Sequence, residues 1–64
     1  MSAATIARSL SVRVSTEITP AAVVVTLTGG SIYGRGEVAD ALIREHGPGE
    51  IREPSGRTVV TIPR

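Results

Sequence analysis

Between Leu10 and Ile18 the apolar side chains fall on every second residue: Leu10, Val12, Val14, the neutral Thr16 and Ile18, with Ser9 before them and Ser11, Arg13, Ser15 and Glu17 interleaved. A period of two marks a strand with one face buried, so the chain is committed to a sheet. Thr19-Pro20-Ala21-Ala22 follows as a turn, Pro20 fixing its own backbone angle, and a second strand runs from about Val23 to Thr28. Together they predict an antiparallel hairpin. The second strand is apolar on both faces, with Val23, Val25 and Leu27 on one side and Val24 beside Thr26 and Thr28 on the other. That pattern predicts an inner strand or one at an interface.

Gly29-Gly30-Ser31-Ile32-Tyr33-Gly34-Arg35-Gly36 then reads as a glycine-rich crossover loop. Glu37 to His46 reads as a helix, with Val38, Ala39, Leu42 and Ile43 as its apolar stripe, widened by Ala41. Glu37 and Asp40 lie early and Arg44 and His46 late, as the helix dipole favours. Gly47-Pro48-Gly49 stops it. The remainder reads as a second hairpin, Glu50 to Glu53 and Arg57 to Ile62 about the Pro54-Ser55-Gly56 turn, with Pro63 ending the last strand. Residues 1–64 therefore form one α+β domain, a small ββαββ unit whose mostly antiparallel sheet carries one helix on one face, residues 1–4 being disordered. One helix leaves the other face open. Val24, Val59 and Ile6 are expected to line that second face, where another subunit or protein would bury them.

The core of such a unit is thin. Its 64 residues include no Phe, no Trp and one Tyr, so it is built from Val, Ile, Leu and Ala, near the size limit for folding without help. The absence of Cys removes disulfides and thiolate metal sites as a remedy, and one His excludes the usual zinc clusters. Association with itself or another protein would supply what the core lacks. A formal charge of +1 does not announce nucleic acid, although all seven basic residues are Arg, a bias that a GC-rich genome explains more simply than function does. No apolar run approaches the roughly 20 residues that span a bilayer. The first ten residues lack the form of a secretory signal, so the expected location is cytoplasmic or within a macromolecular assembly.

Few residues suggest chemistry. Gly29 and Gly34 have the spacing of a phosphate-binding GxxxxGK[ST] loop, but Arg35 and Gly36 stand where the Lys and the hydroxyl should be. Gly34, Gly36 and Ala39 match GxGxxA without the doubly wound sheet that motif needs. Glu37 and Asp40, at the expected helix entrance, would repel a phosphate. No nucleotide, cofactor, metal or catalytic residue is expected, because no base stands paired with a nucleophile or a second carboxylate. Tyr33 and Arg35 are expected to point outward from the loop toward a partner, joined by Val24 and Val59 on the open face. His46 reads as a structural helix-end cation. A second candidate surface is a basic patch of Arg8, Arg13, Arg57 and Arg64, which could contact phosphates if the outer strands adjoin.

Two short stretches are similar to known families. Ser55-Gly56-Arg57-Thr58-Val59-Val60-Thr61-Ile62-Pro63-Arg64 resembles the SGR-to-IPR stretch of AbrB-type swapped-hairpin DNA-binding domains, with one residue more and without the helix that follows there. Val24 to Gly29 resembles the VVTLxG strand that precedes a helix in BON-type domains, whose opening helix the present reading lacks. The residues lead to a non-enzymatic module acting by homo-oligomerisation or through a protein partner, in the manner of a phage or mobile-element accessory protein. The alternative is a nucleic-acid-binding regulator using Arg-bearing strands.

Overall fold

The computed structural model describes residues 2–64 as a four-stranded antiparallel sheet with two helices, α1 (Ala3–Ser9) and α2 (Ile32–His46). The strands are β1 (Arg13–Ile18), β2 (Ala22–Thr28), β3 (Glu50–Arg52) and β4 (Arg57–Pro63), in the spatial order β1-β2-β4-β3. The α+β class holds, with β2 and β4 inside the sheet. The expected ββαββ order becomes αββαββ.

The added helix comes from a capping arrangement that carries no glycine. Ser2, in extended conformation, accepts a hydrogen bond at Oγ from the Thr5 N–H at 3.3 Å, opening α1. Ala3 and Ala7 are buried and Ile6 half-buried, an i, i+3, i+4 stripe of mostly small side chains. At the other end Ser11 takes a positive φ of 59°, while the Val12 N–H reaches the Ala7 carbonyl at 2.9 Å and the Ser11 N–H that of Arg8 at 3.4 Å. This is the Schellman stop, with Ser where Gly is usual. Residues 2–4, expected to be disordered, form the cap and first turn; Met1 lies outside the described residues. The strand expected from Leu10 starts only at Arg13, and Val12 enters the core from the turn. Ile6 therefore packs on the helix side and does not line the open face.

The second correction concerns the glycine loop. Only Gly29 and Gly30 form the turn, both at positive φ; Ser31 caps α2 by accepting from the Gly34 N–H at 3.0 Å, and the helix begins five residues before Glu37. A Cβ on Gly30 would lie 2.8 Å from the Leu10 carbonyl oxygen, so the turn requires a residue without one. Gly34 is buried with its Cα facing Leu10 and Val12, letting α2 approach the α1–β1 connection closely. That contact outweighs the poor helix propensity of Gly34 and Gly36.

α2 lies along β4, and α1 lies beside α2 and touches the start of β1. The Glu45 carboxylate on α2 accepts from the Ala3 N–H at 2.6 Å, joining the two helices. Leu27, Val38, Val60 and Thr58 are fully buried between sheet and helices, with Val25, Ala39, Ala41 and Ile62 around them. Register places Val14, Thr16 and Ile18 of β1 on this helix side, level with Leu27, Val25 and Val23. Yet every β1 residue is exposed, since neither helix extends over that strand.

Candidate functional site

The tip of α2 holds two of the residues singled out by sequence, Tyr33 and Arg35. Tyr33 is 84% exposed in the first turn, beside Ile32 at 54%, so Tyr33 points outward as expected. Arg35 does not. Its Nε donates to Thr58 Oγ1 at 3.1 Å and its Nη1 to the Gly29 carbonyl at 3.1 Å, while Thr58 Oγ1 donates to Glu53 Oε1 at 2.9 Å. The buried Thr58 hydroxyl is thereby satisfied as both donor and acceptor, and Arg35 ties the glycine turn to β4. Arg35 and Thr58 lie 23 residues apart, so no local pattern announces the link.

The phosphate-loop likeness dissolves with the loop. Gly34, Arg35 and Gly36 are helical, and the hydroxyl of Ser31 occupies the capping position that a phosphate oxygen would take. Glu37 does not stand at the helix entrance either; the first turn of α2 contains no acid. The electrostatic objection to a phosphate therefore falls, whereas the missing Lys and hydroxyl residue remain.

The sheet face away from the helices is ordered in rows across the strands. Arg13, Thr28 and Arg57 form the first; Ser15, Thr26, Val59 and Arg52 the second; Glu17, Val24, Thr61 and Glu50 the third. Val24 and Val59 are diagonal neighbours here, both half-buried among threonines, so the face is mixed and not the apolar one expected. Of the four arginines expected in a patch, the sheet brings Arg13 and Arg57 together on either side of Thr28. Arg8 lies on the last turn of α1, and Arg64, beyond β4, donates from Nη1 to the Thr19 carbonyl at 3.0 Å at the opposite end of the sheet. Arg52, which the patch omitted, joins Arg57 on this face, its guanidinium bound to Glu50 at 2.8 Å and its pKa raised by that hydrogen bond and charge.

The larger apolar opening is on the helix side. A groove of about 510 Å³ runs between the C-terminal half of α2 and the sheet, lined by Thr16, Val23, Val25, Leu42, His46 and Ile62 among others. A second hollow of about 220 Å³ shares Leu42 and His46 and reaches Val14 and the start of α1. His46 thus ends α2 at a groove wall, with Nε2 3.6 Å from Glu45 Oε2. Ile18, 68% exposed, and Val14, 47% exposed, continue the apolar surface along β1. The sequence had suggested the opposite face. Among the described residues, no three His, Cys, Asp or Glu side chains gather as metal ligands, and no helix is long and apolar enough to cross a membrane. Compared with known protein families, curated proteins and solved structures, the chain finds no match.

Proposed function

We propose that this chain is a non-enzymatic assembly module that works by binding protein, in the first place further copies of itself. One observation carries the reading: β1 presents Val14 and Ile18 to water on the side where β2 and β4 bury theirs, with the 510 Å³ groove behind it. A chain with so thin a core gains more than a large domain does from covering such a surface. Sedimentation or light scattering across a micromolar concentration series tests the reading. A mass above that of the 6.6 kDa chain is expected, and a monomer throughout would remove it.

A second reading is favoured by the row Arg13–Thr28–Arg57 with Arg52 beside it, three guanidinium groups at one end of one sheet face. It makes the module a nucleic-acid binder through phosphate contacts. Titration with duplex and single-stranded oligonucleotides at two salt concentrations should then show affinity falling steeply with salt. No binding at low salt sinks it.

A further inference from the structure

We infer that β1 is the seam of a symmetric dimer, in which β1 of a second copy adds antiparallel to it and joins the two sheets into one of eight strands. The inference rests on the association reading above and specifies its partner, surface and register. β1 is an edge strand, six residues long, with no proline within it. Such an edge exposes a row of unpaired backbone groups and templates strand addition unless something blunts it.

The direction of those groups follows from the hairpin. The Thr19 N–H binds the Ala22 carbonyl at 2.8 Å, so Thr19 faces β2, and in an antiparallel ladder the facing residues alternate. Arg13, Ser15 and Glu17 therefore direct their N–H and C=O inward to β2. Val14, Thr16 and Ile18 direct theirs out to the free edge. A two-fold axis normal to the sheet at Thr16 sets Thr16 opposite its copy and Val14 opposite Ile18 of the other chain. This register engages the outward N–H and C=O of all three residues on both copies. An axis at Ser15 would leave Ile18 without a mate.

Side chains agree with that register on both faces. On the helix side, Val14 and Ile18, the exposed apolar residues of the strand, become cross-strand pairs and close the apolar surface that continues the groove. On the open face, Glu17 lies diagonal to Arg13 of the second copy, a separation that long side chains bridge. Because the strand carries a cation near one end and an anion near the other, only the antiparallel arrangement brings opposite charges together. An unrelated strand would satisfy the backbone but not this double match. A second copy satisfies both.

Three variants of the intact chain test the seam. Thr16→Pro removes an N–H that the monomer does not use, at an edge position where proline is tolerated; the expected result is loss of the doubled mass with a retained β-sheet spectrum. Thr16→Cys, in a chain that has no other cysteine, should form a disulfide-linked dimer on mild oxidation, because opposed Cα atoms of a hydrogen-bonded pair lie about 5.5 Å apart. Val24→Cys, on the open face, should stay reduced. A wild-type dimer that persists in Thr16→Pro, fails to cross-link through Thr16→Cys or cross-links through Val24→Cys overturns the seam and leaves association standing. A wild-type monomer at every concentration overturns both. Should Thr16→Pro fail to fold, the two cysteine variants decide alone.

Discussion

The two edges of the sheet are built differently. β3 has three residues, stands between Pro48 and Pro54, and fills its open face with the Glu50–Arg52 ion pair. Short length, flanking prolines and charge are the usual means of keeping an edge from pairing. β1 is twice as long and leaves Val14 and Ile18 in water. Charges occur on β1 too, but Arg13 and Glu17 are spaced so that a second copy complements them, whereas Glu50 and Arg52 already answer each other. One edge is closed by its own residues, and the other is left open.

The contrast can be broken most severely from beneath. Leu27→Ala, at a fully buried position beside Val14 on the neighbouring strand, should cost about 3 kcal/mol, which for so small a domain approaches its whole stability. Urea unfolding measures the loss, and hydrogen exchange should show both edges losing protection together. If the β3 edge stays protected, the sheet is not one cooperative unit. Thr58→Val should act on one edge only: it strands the Arg35 and Glu53 groups that the hydroxyl serves, a loss of about 1–3 kcal/mol. Exchange at residues 52–58 should quicken while β1 is unchanged; equal effects on both edges would refute the local role.

Ser11→Gly should work in the other direction, stabilising by about 1 kcal/mol because glycine enters the left-handed region without the Cβ clash. A fall in midpoint would show that the Ser11 hydroxyl matters more than the backbone. Smallest in stability but most pointed for the comparison is Arg52→Val, which leaves Glu50 without its cation on the guarded edge. Its melting midpoint should not move, since the pair is solvent-exposed. Light scattering should nevertheless reveal association beyond that of the parent chain; unchanged behaviour would mean that length and the prolines alone protect β3.

Much of this architecture was readable from residue order. The β1–β2 hairpin about Pro20, the stop at Gly47 and the β3–β4 hairpin about Pro54–Gly56 all follow from period-two patterning and turn chemistry. α1 was not readable, because Leu10, Val12 and Val14 imitate strand alternation across a helix stop whose left-handed residue is Ser11. The first turns of α2 were hidden by three glycines between 29 and 34, of which one is helical for the sake of its contact with Leu10. Of the candidate surface residues, Tyr33 could be placed outward from its loop-like setting, whereas Arg35 could not be assigned inward without knowing that β4 brings Thr58 beneath it. The uncovered strip on β1 was missed for a related reason. Alternation identifies the face meant for burial but not how far a helix extends over it.

The strand order β1-β2-β4-β3 also sets the tempo of folding. Each hairpin can zip locally within microseconds, but the β2–β4 pairing joins residues 22–28 to 57–63 and must draw in the whole segment that contains α2. Closing that loop, with Val25 and Val60 meeting directly across it, is the entropic barrier of the chain. Truncating Val60 should therefore slow refolding, while changes along β1 should chiefly hasten unfolding, a division that stopped-flow chevrons would reveal or deny.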